Sequence, residues 1–557
     1  MGKQARGGGR GRSAPNSARP ARSAPYPAGR GRAPWSSHDG MSQRAEDLPA
    51  GPSSSRELFD YPTWLRQCLS HEELIRLRAR SEAGLAVYSD YSGMDTYREA
   101  LRLAFKSLWD WIQAEGALWA EDDVPNKFGL VFLRVSDHGR LQQQVLGHLN
   151  ALYDGGRGHV LGDYMERLTP AAIQFVNAAT PEQDAPRAVK EQAHLEITQW
   201  LMDNRKWIFA GKAPCAAHGG NECPVHPRFP SAMGADGDPS SQSESESDDS
   251  EDYQRRKLYI NTSGMSCTDW STAGSRGGYS GSTEIANGIF VAERRRFAEL
   301  GIEDLFFGEC VPPFPVVSKV VQPLEQTHHV LWLITGPENF GWPCRRPRMF
   351  CAGLVKGRLE WMGDHDYRAA FMKKFYRMCQ LSGDALFTDS ASAQKEMLHR
   401  MARIQGHVFS SDEPVSDVKK WLPHLVAPSF YNIYQEHVAN APLKQSLGGV
   451  YIGDIEQRPE MGLSVPGPYF PAQLTHGTVA LLHGDRVRLA TGKDHLAAMG
   501  WHLTEGSTMD HAFSPLLPAL HGRIDTQLKF LAGNAIHLCP LTAWMQYILA
   551  NVRCLRV

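Results

Sequence analysis

Apolar residues first recur with structural spacing from Phe59, where Trp64, Leu65, Leu69 and Leu74 fall at helical intervals. Gly84-Leu-Ala-Val-Tyr88 is then a short apolar run that enters the turn Ser89-Asp-Tyr-Ser-Gly93. A run of this length bounded by turn residues predicts a buried strand. Behind it, Asp95 or Thr96 caps a helix on which Ala100, Leu101, Ala104 and Leu108 recur at helical spacing. The unit repeats at Gly129–Val135, which ends on Ser136-Asp137, and at His159–Leu161, which ends on Gly162-Asp163. Three strand–turn–helix units in series predict an α/β fold with a doubly wound, mostly parallel sheet. Ligands of such sheets bind beyond the carboxyl ends of the strands, where these Ser/Gly/Asp turns fall.

The pattern breaks near residue 183 and resumes at Lys257–Ile260, Leu305–Phe307, Val330–Ile334 and Met349-Phe350. One α/β domain is therefore expected in two parts, 56–182 and 257–354, with 183–256 as an insertion. From 355 to 487 the chain is longer than a connection needs, which predicts a second, smaller domain. No internal repeat stands out.

Composition changes this picture at two places. Residues 1–55 are Arg/Gly/Pro-rich low complexity with too little apolar surface to bury, so a disordered arm is expected. The insertion ends in a Ser/Asp/Glu run, which reads as a solvated linker. Residues 1–44 carry nine Lys/Arg against one Asp, and residues 236–252 carry eight Asp/Glu and no base. The formal net charge of −2 is thus a sum of opposites that leaves the folded part near neutral. A globally basic nucleic-acid binder is excluded and a locally basic one is not. The arm either attracts a phosphate backbone or serves as a solubilising or targeting tail. With 42% hydrophobic residues in a chain of 557, wholesale disorder is excluded. No run of about 18 apolar residues is present, so no membrane span is expected. No apolar stretch backs the Arg/Gly-rich start, so no secretory signal is expected either. Ten cysteines at irregular spacing point to a reducing compartment.

Four later loops carry chemistry. Thr262-Ser-Gly-Met-Ser-Cys-Thr-Asp-Trp-Ser-Thr-Ala-Gly274 sets Cys267 among small turn-formers, and Gly308-Glu-Cys-Val-Pro-Pro313 puts Glu309 directly after an apolar strand. Gly341-Trp-Pro-Cys-Arg-Arg-Pro-Arg348 opens another strand, with Arg346 and Arg348 on one face by alternation. Ala532-Gly-Asn-Ala-Ile536 precedes a helix. A thiol, an acid and a pair of guanidiniums at sheet ends supply a nucleophile, a proton donor and an electrostatic anchor. Taken singly, Cys267 also reads as a small buried residue, Glu309 as an ion-paired structural acid, and the arginines as a solvated edge.

In order and wording these loops resemble the C5-cytosine DNA methyltransferase family, which uses S-adenosylmethionine. Ser89-Asp-Tyr-Ser-Gly93 resembles its Asp-Leu-Phe-Ser-Gly opening loop, and Gly162-Asp163 its Gly-Asp whose acid faces the adenine. Asp137 best matches its ribose-binding acid. Met265-Ser-Cys-Thr-Asp-Trp-Ser271 is similar to its Pro-Pro-Cys-x-x-Phe-Ser loop, Glu309-Cys-Val311 to Glu-Asn-Val, and Cys344-Arg-Arg-Pro-Arg348 to Gln-x-Arg-x-Arg. Arg488-Leu-Ala-Thr-Gly-Lys-Asp494 with Gly500-Trp501 resembles Arg-x-x-Thr-x-x-Glu followed by Gly-Phe, and Gly533-Asn-Ala-Ile536 resembles the closing Gly-Asn-Ala-Val.

The resemblance implies a Rossmann-like methyltransferase fold, DNA as partner and the nucleus as compartment. It also implies a target-recognition domain at 355–487 and a return to the catalytic domain at 488–557. It implies Cys267 as nucleophile toward cytosine C6, Glu309 as the acid at N3 and the exocyclic amine, and Arg348 with Arg346 supporting at O2. Tyr91, Ser92, Gly93, Asp137, Asp163 and Asn534 become cofactor binders. An RNA (tRNA-type) cytosine-5 methyltransferase and an inactive homologue that retains cofactor or DNA binding are the alternatives. The chain departs from the family pattern at Met94, Asp95, Ser266, Cys310, Cys344 and Leu531.

Cys215, His218, Cys223 and His226 form C-x2-H-x4-C-x2-H within the insertion. They are either the four ligands of a structural zinc or loop residues without metal.

Overall fold

All seven apolar runs are strands of one sheet in the computed structural model, which describes residues 47–555 apart from 115–128, 154, 228–255, 272–276, 410–417, 445–446, 461–464, 504–518 and 521. The acidic run and residues 1–46 of the expected arm lie outside the described residues. Residues 47–55 do not continue an arm: Ala50 bridges Met378, and Gly51 N–H donates to Met378 O at 3.0 Å.

The strands are β1 (Leu85–Asp90), β2 (Leu130–Ser136), β3 (His159–Leu161), β4 (Leu258–Gly264), β5 (Leu305–Cys310), β6 (His328–Thr335) and β7 (Arg348–Val355). Their order is β3-β2-β1-β4-β5-β7-β6, parallel except for β7, which runs antiparallel to both β5 and β6. This is the doubly wound Rossmann-like sheet that the sequence predicts. The order reverses between β1 and β4, so the crevice where ligands of such sheets bind opens beyond their carboxyl ends.

β1 and β5 are buried at every residue, as strands covered on both faces must be. Their side chains alternate between two cores. Leu85, Val87, Leu305 and Phe307 join helices α1 (Thr96–Ala114), α2 (Arg140–Tyr153) and, from the far end of the chain, Leu538–Ala550. Phe306 and Cys310 face the opposite core with helices Arg187–Asn204 and Glu284–Leu300. Helix Arg187–Asn204 falls inside the expected insertion, yet its Ile197, Leu201 and Met202 pack with Ile289 and Phe290 as part of that core. Its weak amphipathicity hides this in the sequence, because both of its faces carry charge.

Both sheet edges are covered. At β6, Tyr367 Oη donates to Trp332 O at 2.9 Å and accepts from Trp332 N at 3.0 Å, and Arg368 Nε donates to the same carbonyl. At β3, Leu161 bridges Cys215 in a small hairpin of strands Lys212–Pro214 and Glu222–Pro224. Paired or covered edges protect a sheet from adventitious strand addition.

A second core begins well beyond residue 355. Leu359–Trp361 pairs with Val552–Cys554, and Phe371 and Phe375 bury in the main core. The separate cluster instead gathers Leu398, Leu422, Tyr434, Tyr451, Leu482 and Leu489 from three helices and an antiparallel three-stranded sheet (Val450–Asp454, Val479–His483, Arg486–Leu489). Among the described residues no helix is long and apolar enough to cross a membrane.

Candidate active site

Alternation along β5 and β7 fixes the central pair. Glu309 shares a face with Leu305 and Phe307, and Arg348 shares it with Phe350 and Ala352, on neighbouring strands. The two side chains meet there, with Arg348 Nε 2.9 Å from Glu309 Oε1. Glu309 is 8% exposed. Burial pushes its carboxyl above the ordinary range, and the guanidiniums of Arg348 and Arg346 only partly offset this.

Cys267 lies on the loop that leaves β4. Met265 N–H donates to Glu309 O at 2.9 Å, which fixes the start of that loop to the end of β5. The Cys267 carbonyl accepts from Trp270 N at 3.0 Å and Ser271 N at 2.8 Å, a single tight turn. Asp269 holds the far side by accepting from both N–H and Oγ1 of Thr283, and Trp270 Nε1 donates to Glu284 at 3.0 Å. Burial raises the Cys267 thiol pKa, Glu309 raises it further, and Arg348 and Arg346 oppose them. The thiol and the carboxyl therefore compete for one unit of negative charge in the field of two cations.

Arg346 does not contact Glu309 directly. Its guanidinium donates to the carbonyls of Gln473 (2.9 Å), Gly533 (2.9 Å) and Ala535 (2.8 Å), so it tethers the Gly533-Asn-Ala loop. That loop needs its glycine. A Cβ on Gly533 would lie 2.5 Å from Thr475 N and 2.6 Å from Leu474 O.

The expected cofactor residues gather at the ends of β1, β2 and β3. Tyr91, Gly93 and Asp95 all take left-handed φ (51°, 56° and 58°), which wraps the loop tightly around the end of β1. Asp95, standing where the family pattern has glycine, tolerates that conformation better than most side chains. Its carboxylate is held in a buried pair with Arg98. Met94 turns into the core. Asp137 accepts from Gly93 N and Gly139 N, each at 2.9 Å, and burial raises its pKa. Ser92 Oγ donates within the turn to Ser89. Asp163 caps a short turn by accepting from Met165 N at 2.9 Å, and the following Tyr164 ring lies 6.0 Å from that of Tyr91. Asn534 is exposed, and its backbone carbonyl lies within 3.4 Å of where a Gly93 Cβ would stand. A Cβ on Gly264 would stand 3.2 Å from Tyr91 O, so the β1, β4 and Gly-Asn-Ala loops meet.

A second charged cluster escapes sequence reading altogether. Asp90 accepts two bonds from Arg134 (2.9 and 3.0 Å), pairs with Arg167 at 2.8 Å, and accepts from Ser136 and Asn261. Glu293 joins Arg134, Arg167 and Arg294, and Arg294 reaches Glu303 at 2.5 Å. All six side chains are buried. They come from β1, β2, the turn after β3, helix Glu284–Leu300 and the segment before β5. No local pattern links residues so far apart.

The Cys/His residues divide. Cys215, His218 and Cys223 converge, with His218 Nδ1 3.2 Å from each sulfur, and His159 at the start of β3 completes the group. His226, expected there from spacing, lies elsewhere. Its ring packs edge-on against Phe297 at 4.4 Å and sits beside Arg134. Burial drives its pKa down to about 3.

A cavity of about 500 Å³ lies outside this region, and Lys374 and Glu73 of its lining pair at 2.7 Å.

No family model matches the chain, and no curated protein matches it. Among solved structures, it is similar to a mutant form of Spodoptera frugiperda DNMT2, at 10% identity over 84% of this chain and 99% of that one, with a TM-score of 0.33. It is likewise similar to the Dnmt2 methyltransferase of S. pombe (11% identity, 84% and 98% covered, TM-score 0.35). A third is a putative DNA modification methyltransferase from an E. coli prophage (11%, 84% and 98%, 0.35). Likeness at this level assigns neither an activity nor a family.

Proposed function

We propose that the chain transfers a methyl group from S-adenosylmethionine to C5 of cytosine in DNA, through a covalent bond between Cys267 and C6. The observation that supports this reading best is the Cys267 loop pinned to Glu309, whose buried carboxyl is paired with Arg348. The residues present fit the cofactor. Asp137 offers a buried carboxyl at the end of β2, the Tyr91 and Tyr164 rings flank the neighbouring turn, and Gly93 leaves backbone space beside Asn534. When bound, S-adenosylmethionine supplies an electrophilic methyl group.

Cytosine C5 is a poor nucleophile until C6 is attacked. In the proposed sequence Cys267 gives its proton to water, the thiolate forms a bond to C6, and the C5=C6 electron pair shifts toward N3. Glu309 delivers its proton to N3, and Arg348 holds O2, offsetting negative charge there. The resulting C5 enamine carbon takes the methyl group as its bond to the sulfonium sulfur breaks, leaving a neutral thioether. Water then takes the C5 proton, which restores the double bond and expels the Cys267 sulfur, and N3 returns its proton to Glu309. A carboxyl whose pKa burial has raised is suited to hold the proton that N3 receives. A base inside a duplex is out of reach of such a site, so the reading requires it to be flipped out.

The decisive experiment uses duplex DNA containing 5-fluorocytosine, which cannot lose its C5 substituent as a proton. An active Cys267 leaves a stable covalent adduct with the full-length chain, and Cys267→Ser leaves none. Labelled S-adenosylmethionine offered with duplex DNA and with tRNA in parallel identifies the acceptor. Transfer to tRNA alone overturns DNA as substrate, and absence of an adduct overturns the mechanism.

A further inference from the structure

We propose that His159, Cys215, His218 and Cys223 bind one structural zinc ion that staples the Lys212–Pro224 hairpin to strand β3. Their four ligand atoms all lie within 4.8 Å of one another. His218 Nδ1 stands 3.2 Å from both sulfurs, and His159 Nδ1 stands 4.0 Å from Cys215 Sγ. Tetrahedral zinc, with Zn–S near 2.3 Å and Zn–N near 2.0–2.1 Å, needs its ligands about 3.3–3.8 Å apart. The observed separations of 3.2 and 4.0 Å straddle that range.

Hydrogen bonding alone accounts poorly for the arrangement. Cys215 and Cys223 are buried, and they share a small apolar cluster with Leu161, Ala213 and Val225. A thiol is a weak donor and acceptor, and a single Nδ1 cannot serve two sulfurs well. Two thiols and two imidazoles turned toward one point are a soft donor set that suits zinc.

The backbone also behaves as a metal turn does. Cys215 O accepts from His218 N (3.2 Å) and Gly220 N (2.9 Å), which curls the 215–220 segment so that both of its donors point inward. Val160 N–H donates to Cys215 Sγ at 3.4 Å, which orients that sulfur toward the cluster. Four protein donors leave no open coordination position, so the role assigned is structural, not catalytic. Its mechanical effect falls on β3. That strand is only three residues long, lies at the sheet edge and carries the proposed cofactor residue Asp163 two residues beyond its end. The hairpin meets this edge at the Leu161–Cys215 bridge, and the ion would lock the bridge in place.

The test is metal content, which is independent of methyl transfer. Full-length protein purified under reducing conditions with zinc in the medium is expected to carry one zinc per chain by elemental analysis. Cobalt(II) exchange is expected to give the intense visible bands and sulfur-to-metal charge transfer of a tetrahedral thiolate site. His159→Ala is expected to lose the metal, His159→Cys to keep it, and His226→Ala to keep it. Folded wild-type protein that holds neither zinc nor cobalt, or that carries a Cys215–Cys223 disulfide instead, overturns the proposal. So does His226→Ala releasing the ion while His159→Ala retains it. If His159→Ala fails to fold, the wild-type stoichiometry and the cobalt spectrum still decide.

Discussion

The Asp90 and Glu309 clusters of acids and guanidiniums differ in how many cations each carboxyl meets. Asp90 and Glu293 are each surrounded by Arg134, Arg167 and Arg294. Burial alone would raise both pKa values, but three guanidiniums outweigh it. Asp90 is held well below the carboxylate range and Glu293 at about 2. Glu309 is as deeply set but meets one arginine directly, and burial wins, so its pKa rises. Glu303 behaves the same way inside the first cluster. With Arg294 as its one arginine partner among the described residues, it is pushed up to about 8. A carboxyl that is fully compensated is a structural fixture. One left short of a cation keeps a proton to trade, and Glu309 does so beside the Cys267 thiol.

Exchanging single atoms should separate the clusters. The largest effect is expected at the open one. Cys267→Ser should cut methyl transfer by about 10³-fold or more, since a nucleophile and its acid act as a unit. The Cys267 side chain is only partly buried and makes its loop contacts through the backbone, so the variant's thermal midpoint should match wild type. Residual transfer near the wild-type rate would remove Cys267 from the chemistry.

The closed cluster should show the opposite signature. Asp90→Asn keeps the shape but leaves three buried guanidiniums facing one carboxylate fewer. Breaking a buried ion network this way costs about 3–5 kcal/mol of stability, read as a lower urea midpoint at pH 7. Acid should expose the same network in the wild-type chain. Because the folded pKa values of Asp90 and Glu293 are depressed, their contribution is present above the unfolded values near 4 and lost as pH falls toward 2. Urea midpoints measured from pH 5 to 2 should therefore fall steeply, and less so in Asp90→Asn. Parallel curves would show that the arginines do not hold these acids down.

Arg348→Lys probes the bridge between charge and chemistry. Lysine keeps the charge but loses the planar fork, and the loss should appear in kcat as about a 10²-fold fall, the size of removing one oriented donor. Arg346→Lys should act differently, because its target is three carbonyls of the 473 and 533–535 segments. There the loss should appear mainly as weaker cofactor binding, measured by calorimetry with S-adenosylmethionine.

The comparison also shows what sequence carries. All seven strands were legible, because parallel strands covered on both faces read as short apolar runs closed by turn residues. Cys267, Glu309 and Arg348 were legible because each stands within three residues of a strand end, so local pattern places it. Arg346 was placed by the same pattern, but its tethering of a loop nearly 190 residues later was not. The Asp90 network and His159 were invisible for a related reason. Their partners are brought together by sheet order, and His159 sits 56 residues from Cys215. Spacing favoured the nearer His226, which the fold instead spends on Phe297 and Arg134. The edge of the second core was misplaced because the chain after β7 crosses back to Val552–Cys554 before leaving.

The smallest expected effect is also the sharpest test of the contrast. A group whose folded pKa lies above its unfolded value contributes stability fully present below the unfolded pKa and lost as pH rises through the folded one. Glu309 is such a group, so at neutral pH its ionised form is a net liability that Arg348 only partly offsets. Glu309→Gln removes that charge, keeps the side chain's size, and leaves Arg348 partly exposed to water. Stability should then rise by about 0.5–2 kcal/mol at pH 8, the scale usual for a single stabilising substitution. The gain should shrink toward zero near pH 4, and transfer activity should be lost at both. A variant less stable than wild type at pH 8 would mean that the Glu309–Arg348 pair is fully compensated after all. It would then belong with Asp90 and Glu293, as a fixture of the fold.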